Sequence, residues 1–264
     1  MDNRREMCIN IQLYEELSMN ALPALRTVLY DGWVLRFSDG YGNRANSVSP
    51  IYASSLPPEE KVKTCELMYA AYGLPTVFKL TEASPEGLDG YLAGLGYEAV
   101  RPTFLYTAKL QAGRRESGSP GGAGFPGEKL LIADSVAKDW LEDCFRLEGF
   151  DEKTAATASA MLSNLRHGVL TARAFEGGKA VACGLCAVER RYAGLYYIAT
   201  DAGHRRRGFG TAICRELLSA AAETGAKSAY LQVMEDNAAA LALYEKLGFG
   251  FCYRYWYRIL RRRD

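Results

Sequence analysis

The pattern of apolar and polar positions predicts alternating strands and helices in the second half of the chain. Alternating or continuous apolar runs predict strands at 129–133, 168–175, 180–189, 194–200 and 228–234. Apolar residues at helical spacing predict helices at 136–147, 152–165 and 237–247, and a further helix after a glycine-rich turn at 203–210. A final strand pair is predicted around 251–260. This order is typical of the α/β (α+β) class with a mixed sheet.

Residues 111–127 interrupt these patterns. Ten of these seventeen residues are Gly, Pro or Ser, which is a composition typical of a flexible linker. A chain of 264 residues has room for two modest domains. We therefore predict one domain at 1–110, a flexible linker at 111–127 and a second domain at 128–264.

The first half repeats the end of the second-half pattern at an offset of 152 residues. Residues 77–80 overlie 229–232, and the Leu-Gly-aromatic segment at 95–97 overlies 247–249. A strand-like segment at 103–110 stands where the second half has its closing strands. Two copies of one fold explain this match.

Charge and hydropathy exclude several classes of protein. The chain has 32 Lys and Arg against 31 Asp and Glu, a net charge of +1, so nothing chain-wide favours nucleic acid or an anionic membrane. No stretch approaches the roughly 18 apolar residues of a membrane span, and the N-terminal segment is charged where a signal peptide is apolar. We expect a cytoplasmic protein with no membrane partner.

The seven cysteines are scattered through apolar segments, which favours reduced, packed thiols over a disulfide framework. Cys183 and Cys186 form a C-x-x-C, but they lie in a predicted strand, where residues three apart point to opposite faces. With His167 and His204 as the only histidines, a zinc site or a histidine-based triad has little to build on. We therefore expect no metal.

A glycine-containing loop at 205–211, between a predicted strand and a predicted helix, is a candidate ligand-binding site. Its glycines allow close approach of a ligand to the backbone, and the free amides of a first helical turn favour phosphate oxygens. Three consecutive arginines, Arg205 to Arg207, add positive charge that would attract a phosphate. A simple tight turn is the alternative interpretation.

A second motif begins about thirty residues later, as N-x-x-A-x-x-L-Y-x-x-L-G-F from Asn237. Asn237 and Tyr244 are seven residues apart, so they lie on one helix face about 10.5 Å apart along the axis. The alternative is structural, with Asn237 as the helix N-cap and Tyr244 as an amphipathic core residue.

Together, the R-x-x-G-x-G loop and this helix resemble the GCN5-related N-acetyltransferase (GNAT) superfamily, over essentially all of residues 128–260. The resemblance implies two GNAT-like lobes, each a mixed, mostly antiparallel sheet flanked by helices, with acetyl-CoA as cosubstrate. It implies coenzyme contacts from Ile198, Ala199, Thr200, Arg205, Arg206, Arg207, Gly208, Phe209, Gly210, Thr211, Asn237 and Tyr244.

The resemblance also implies how each part acts. The backbone of 205–211 would bind the diphosphate, the strand around Ile198 and Thr200 the pantetheine arm, and Asn237 that arm further along. Tyr244 would protonate the departing thiolate, since a phenol of pKa near 10 can do so for a thiol near 8.5. The Ile198 amide would stabilise the oxyanion during direct attack by an amine.

The general base is not evident from the sequence. Histone-modifying members of the superfamily place a glutamate on the strand before the phosphate loop, where this chain has Gly194, followed on that face by Tyr196. Glu148, Glu189 and Glu235, acting through water, are alternatives. Each is also explained as a solvated surface carboxylate.

The first half lacks the candidate catalytic and coenzyme-binding residues of the second half. Leu92 and Pro85 stand at the positions that match Tyr244 and Asn237, and no R-x-x-G-x-G loop precedes the helix predicted at 59–71. We interpret this half as a degenerate copy. Its polar segments at 32–40 and 44–47 either complete the acceptor pocket or form a hairpin, turning at Asp39-Gly40, whose polar residues face water.

The leading prediction is an acetyl-CoA-dependent N-acetyltransferase that modifies the primary amine of a small molecule by direct attack, as a monomer or homodimer. The alternatives are a protein or peptide N-acetyltransferase and a non-catalytic, regulatory acyl-CoA-binding protein. Basic residues interleaved with aromatics near the C-terminus raise RNA binding as a further alternative: Arg254, Arg258 and Arg261 to Arg263. An amphipathic closing strand with a basic tail explains them more simply, so nucleic acid is not favoured as a partner.

Overall fold

A computed structural model describes residues 3–110, 125–165 and 168–260. Its helices are α1 (Asn3–Ala21), α2 (Gly42–Ala45), α3 (Pro58–Ala71), α4 (Leu88–Gly94), α5 (Lys138–Glu148), α6 (Glu152–Leu162), α7 (Phe209–Glu223) and α8 (Ala238–Lys246). Its first five strands are β1 (Arg26–Tyr30), β2 (Trp33–Phe37), β3 (Val48–Pro50), β4 (Val77–Thr81) and β5 (Glu98–Lys109). The others are β6 (Lys129–Ala133), β7 (Val169–Glu176), β8 (Lys179–Glu189), β9 (Tyr192–Thr200), β10 (Ser228–Met234) and β11 (Gly250–Ile259). Most of the predicted linker, His167 and Arg261 to Arg263 lie outside the described residues.

The chain forms two compact units. The first contains Met1–Leu105, Val233–Asp236 and Cys252–Asp264, and the second contains Tyr106–Gln232 and Asn237–Phe251. These units are not the predicted ranges, because the end of β5 belongs to the second unit, whereas Val233–Asp236 and most of β11 belong to the first. None of the helices in the described part of the chain is long and apolar enough to cross a membrane.

The second unit contains a mixed sheet in the order β10-β9-β8-β7-β6. Strands β6 to β9 pair antiparallel, and β9 pairs with β10 in parallel. The two faces are covered by different helices, as the cysteines of β8 show. Cys183 faces Cys144 of α5, whereas Cys186 interacts with Cys214 of α7. The prediction that Cys183 and Cys186 point to opposite faces is therefore confirmed.

Helix α7 packs closely on β8 because β8 has a glycine there. A Cβ on Gly184 would lie 2.6 Å from the Ile213 side chain and 2.9 Å from that of Leu217. Ile213 and Leu217 are both buried, as is Phe209 at the start of the helix. This contact holds the first half of α7 against the middle of β8.

In the first unit, β1, β2 and β3 pair antiparallel, β4 joins β3 in parallel, and β11 pairs antiparallel with β4. The predicted final strand pair is wrong, since one continuous strand, β11, occupies that segment. Tyr255 of β11 lies opposite Thr81, and Ile259 lies opposite Val77. Alternation buries Tyr253, Tyr255 and Tyr257 on one face of β11.

The two halves of the sequence have the same succession of elements. The first half runs β1-β2-β3-α3-β4-α4-β5 and the second half runs β7-β8-β9-α7-β10-α8-β11. In each, a hairpin and a third antiparallel strand lead into a helix, and the next strand is parallel to the third. The predicted fold class, with two lobes that each have a mixed sheet flanked by helices, is confirmed.

Candidate active site

Strand β9 contains a bulge that shapes the site. Leu185 of β8 lies opposite Tyr196, whereas Cys183 lies opposite Ala199, so β9 has one residue more than β8 in this interval. Tyr197 takes up the irregularity with a φ of 51°. Its carbonyl oxygen is 3.6 Å from the Cys183 sulfur. Helix α5 therefore supports the bulge from one side, because Trp140 also packs edge-on against the Tyr197 ring at 6.2 Å.

The parallel pairing of β9 with β10 stops before the bulge. It extends from Tyr192 opposite Ser228 to Leu195 opposite Leu231. Beyond the bulge, Ile198, Ala199 and Thr200 line a cavity. The edge of β9 that faces away from β8 is thus available there for an extended ligand that pairs like another strand.

The predicted phosphate loop follows β9 directly. Asp201 accepts a hydrogen bond from the Gly203 amide at 3.0 Å, and Arg206 and Gly208 have left-handed φ values of 61° and 94°. Gly208 is the N-cap of α7 and provides no side chain to cap it. A Cβ there would meet only Pro126, at 3.9 Å, so glycine is required by backbone conformation and not by space. The first residues of α7, Phe209 to Thr211, line the cavity, and the amides of a first helical turn have no partners within the helix.

The cavity has a volume of about 800 Å³, within the range of small-molecule sites. It brings together most of the predicted site residues: Ile198, Ala199, Thr200, Arg205, Arg206, Gly208, Phe209, Gly210, Thr211 and Tyr244. Sequence reasoning did not place these lining residues among the coenzyme contacts: Leu147, Glu148, His204, Ala239, Ala240, Ala242, Leu243 and Lys246. For the lining residues on α8, the run of alanines in the sequence could have indicated a cavity, because small side chains leave room beside a helix.

Two predicted residues have other partners. Arg207 forms a bidentate ion pair with Glu176, with nitrogen–oxygen distances of 2.8 and 2.5 Å. Asn237 accepts a hydrogen bond from the Ala240 amide at 3.1 Å, so it is the N-cap of α8. Neither residue lines the cavity, and the structural interpretation of Asn237 describes its contact.

A network of charges holds the loop in place. The His204 ring lies 2.7 Å from Asp201 through Nδ1 and 3.0 Å from Glu176 through Nε2. Hydrogen bonds from Arg207 hold the pKa of Glu176 below its usual range, and the bond with His204 does the same for Asp201. Among the lining side chains of the described cavity, Arg205, Arg206 and Lys246 are cationic, while Glu148 is a carboxylate.

Tyr244 and Glu148 are two residues of the cavity lining whose side chains can donate or accept a proton. Tyr244 is half-buried on α8, with its ring 6.1 Å from that of Phe249. Glu148 lies at the end of α5, one turn after Cys144, which contacts β8 beside the bulge. Glu148 lines the cavity together with Leu147, the residue before it on α5.

The other candidate bases, Glu189 and Glu235, do not line this cavity. Glu189 pairs with Arg190 at 3.0 Å, and Glu235 pairs with Arg254 at 2.8 Å within the first unit. A side chain at Gly194 has no room, because a Cβ would lie 2.5 Å from Tyr230. Tyr196 is buried with its hydroxyl 3.3 Å from that of Tyr230.

The polar segments of the first unit point inward. The Arg36 guanidinium donates to the backbone carbonyls of Leu22 and Arg44. The Asn46 side chain accepts from the Ser38 amide and donates to the Tyr41 carbonyl, both at 2.7 Å. The alternative in which the polar residues face water is wrong for Arg36 and Asn46, because both are buried and hydrogen-bonded to backbone groups of the first unit. Completion of the acceptor pocket by this segment stays a prediction.

The arginines of β11 also have acidic partners. Arg258 pairs with Asp89 at 2.7 Å, and the Trp256 indole donates to the same carboxylate at 2.8 Å. Arg254 pairs with Glu235. These contacts support the interpretation of the segment as an amphipathic strand. In the described part of the chain, no group of three or more His, Cys, Asp or Glu side chains has an arrangement that could hold a metal ion.

Solved structures share the fold of this chain. A GCN5-related N-acetyltransferase from Kribbella flavida superposes with a TM-score of 0.67 at 17% identity, over 96% of each chain. A tandem GNAT protein from the clavulanic acid biosynthesis pathway superposes with a TM-score of 0.62 at 13% identity, over 97% of each chain. At such identities the match establishes the fold.

Sequence relatives establish the class. The Bacillus subtilis (strain 168) protein named "Uncharacterized N-acetyltransferase YobR" is 30% identical over 252 residues, 96% of this chain and 99% of the relative. With the two-lobed fold and the site on β9, this makes the chain an N-acetyltransferase of the GNAT type. Within that superfamily it belongs to the family described as "Probable histone acetyltransferase Rv0428c C-terminal", whose model matches residues 9–258. An Escherichia coli (strain K12) relative, "[Ribosomal protein bS18]-alanine N-acetyltransferase", is 35% identical over 101 residues, 38% of this chain and 64% of the relative.

Proposed function

We propose that the second unit transfers the acetyl group of acetyl-CoA to the primary amine of a small molecule by direct attack. The observation that carries this proposal is the continuity of one cavity from the open edge of β9 to the first turn of α7. A strand edge suits the amides of a pantetheine arm, and helix amides suit a diphosphate. No other described feature of the chain combines the two.

Charge supports this direction for the coenzyme. The diphosphate would lie against the amides of residues 205–211, with Arg205 and Arg206 providing positive charge. The pantetheine arm would follow Ile198 to Thr200 back toward the bulge. The thioester would then lie near the Ile198 amide and Tyr244, in the same cavity that Glu148 lines.

The chain's own groups can complete the reaction without a covalent enzyme intermediate. The amine nitrogen bonds to the thioester carbonyl carbon while the Ile198 amide donates to the oxygen that becomes negative. As the carbon–sulfur bond breaks, Tyr244 gives its proton to the thiolate, and the proton that the new amide nitrogen loses restores the Tyr244 phenol. Glu148 accepts, through water, the proton that the ammonium substrate must lose before it can attack. The products are an amide and free coenzyme A.

A second candidate acceptor is the amine of a protein or peptide. The relative that acts on ribosomal protein bS18 alanine favours it, because its matched segment is 35% identical to this chain. A panel of alkyl amines, polyamines and short peptides with free N-termini distinguishes the two. Acetylation of free amines supports the first candidate, and acetylation confined to peptides supports the second.

The direct test is titration of the full chain with acetyl-CoA in a calorimeter, followed by measurement of free thiol release with each amine. We expect saturable binding of acetyl-CoA and thiol release that depends on an amine. Absence of binding contradicts the proposal. Binding without thiol release from any amine in the panel favours the regulatory alternative.

The role of Glu148 has a separate test. Glu148→Gln should lower kcat/KM at pH 7 and leave the affinity for acetyl-CoA unchanged, and the deficit should shrink as pH rises and the amine loses its proton in solution. Glu142→Gln is a matched control, because Glu142 lies on the same helix and pairs with the exposed Lys138 at 3.7 Å. Equal kinetics for the two variants would exclude Glu148 as proton acceptor.

A further inference from the structure

In the first unit a carboxylate binds the loop that precedes α3. Asp31 lies in the turn between β1 and β2, with a left-handed φ of 41°. Its two oxygens accept hydrogen bonds from the Ser55 amide at 3.0 Å and the Leu56 amide at 2.9 Å. The Ser55 hydroxyl adds a third donor at 2.7 Å. These donors lie in the loop between β3 and α3.

That loop corresponds to the phosphate loop of the second unit. Both loops connect the third strand of a unit to the helix that follows, as β3 leads to α3 and β9 leads to α7. When the first residues of the helices are aligned, Pro58 matches Phe209, so Ser55 and Leu56 match Arg206 and Arg207. Asp31 therefore binds amides at the positions proposed to bind the diphosphate.

The matching hairpins explain why the two loops differ. In the second unit, Glu176 at the end of β7 contacts the side chains of Arg207 and His204. In the first unit, Asp31 stands one position further into the turn and reaches the backbone amides themselves. Glu176 thus contacts side chains of its loop, whereas Asp31 accepts hydrogen bonds from the backbone amides of its loop.

Two further substitutions remove donors from the first-unit loop. Pro57 and Pro58 stand where the second unit has Gly208 and Phe209, and proline has no N–H. Lys61, fully buried in the first turn of α3, lies 3.1 Å from the Asp31 carboxylate and 4.2 Å from the centre of the Trp33 ring. The positive charge that would face a ligand is therefore paired within the protein.

We propose that Asp31 is a built-in substitute for the diphosphate at a coenzyme site that the first unit has lost. This inference rests on the proposed function, since that proposal defines the matching site in the second unit. It follows that each chain binds one coenzyme A. The Asp31 carboxylate holds the loop before α3 in place without a bound ligand.

The experiment has two arms. Calorimetric titration of the full chain with acetyl-CoA should give one equivalent per chain. In the second arm, thermal unfolding without coenzyme compares the unsubstituted chain with Asp31→Ala, Asp31→Asn and Asp39→Ala. Asp39 is the matched control, because it also precedes a glycine at a left-handed φ, 51°, but its side chain is exposed.

Asp31→Ala should unfold several degrees lower than the control, and Asp31→Asn should lie between them, because it keeps an acceptor oxygen and loses the charge. Sodium acetate, as a free carboxylate, should raise the Tm of Asp31→Ala more than that of the control, with sodium chloride at equal ionic strength for reference. The affinity for acetyl-CoA should stay within twofold in all variants.

Two equivalents of acetyl-CoA per chain would overturn the inference and leave the proposed function standing. Equal stability of Asp31→Ala and Asp39→Ala, or equal response to acetate, would also overturn it. No binding of acetyl-CoA to the unsubstituted chain would contradict the proposed function and this inference together.

Discussion

Substitution of Gly208 tests the phosphate loop most sharply, because the structure separates its two effects. Gly208 has a φ of 94°, and a Cβ there has open space apart from Pro126 at 3.9 Å. Gly208→Ala therefore adds backbone strain of about 1 kcal/mol without a clash. Gly208→Asp adds the same strain and a negative charge at the first turn of α7.

The charge effect follows from Coulomb's law. At about 5 Å from a unit negative charge of the diphosphate, a carboxylate costs about 1 to 3 kcal/mol for effective dielectric constants between those of water and a protein surface. This energy corresponds to an affinity for acetyl-CoA about 5- to 150-fold weaker. Because the interaction is electrostatic, the loss should diminish as salt is raised.

Gly225 provides the matched control. It follows α7 at the other end, has a φ of 98°, and a Cβ there meets nothing within 4 Å. Gly225→Ala and Gly225→Asp should therefore lower Tm about as much as the Gly208 variants and leave the affinity unchanged. Titration calorimetry of the four variants at two salt concentrations is the assay. Equal affinities for Gly208→Asp and Gly225→Asp would refute the placement of the diphosphate at this loop.

Three further outcomes are expected. Tyr244→Phe should lower kcat by about 10²- to 10⁴-fold and barely change the Kd for acetyl-CoA, as steady-state kinetics and calorimetry would show, since only the leaving thiolate loses a partner. Glu15→Gln should destabilise the first unit by roughly 3 to 5 kcal/mol in urea unfolding, because Lys79, 2.6 Å away and buried, would keep its charge without its counterion; Glu15→Leu with Lys79→Met should recover most of the loss. Arg258 holds the pKa of Asp89 below its usual range, so the stability from this pair is complete above the unfolded value near 4 and falls as pH drops through the lower folded value. Asp89→Asn should therefore flatten the acid side of the stability profile.

The sequence predicted the local elements of the site well. Strands 129–133 and 228–234 begin and end where the structure has them, and the helix predicted at 237–247 is α8 with its cap and C-terminal residue removed. These elements depend on the period of apolar positions, which is a property of each segment alone. The glycine at 208 was informative for the same reason, since a left-handed φ is a local requirement.

Pairing between distant segments was beyond the sequence pattern. The alternating residues 251–260 predict strands, but nothing in them specifies β4 as the partner, because hydrogen bonding of the backbone is the same for any partner strand. The Asp31 contact was missed for a similar reason. Asp31-Gly32 signals a tight turn, and only the folded hairpin brings that carboxylate to the amides of Ser55 and Leu56.

The most direct measurement of the central claim is a crystal structure of the full chain with coenzyme A. We predict diphosphate oxygens within about 3.2 Å of backbone nitrogens between residues 205 and 211, with the pantetheine arm along Ile198 to Thr200. Coenzyme bound with its diphosphate away from this loop, or bound at the loop before α3, would contradict the account.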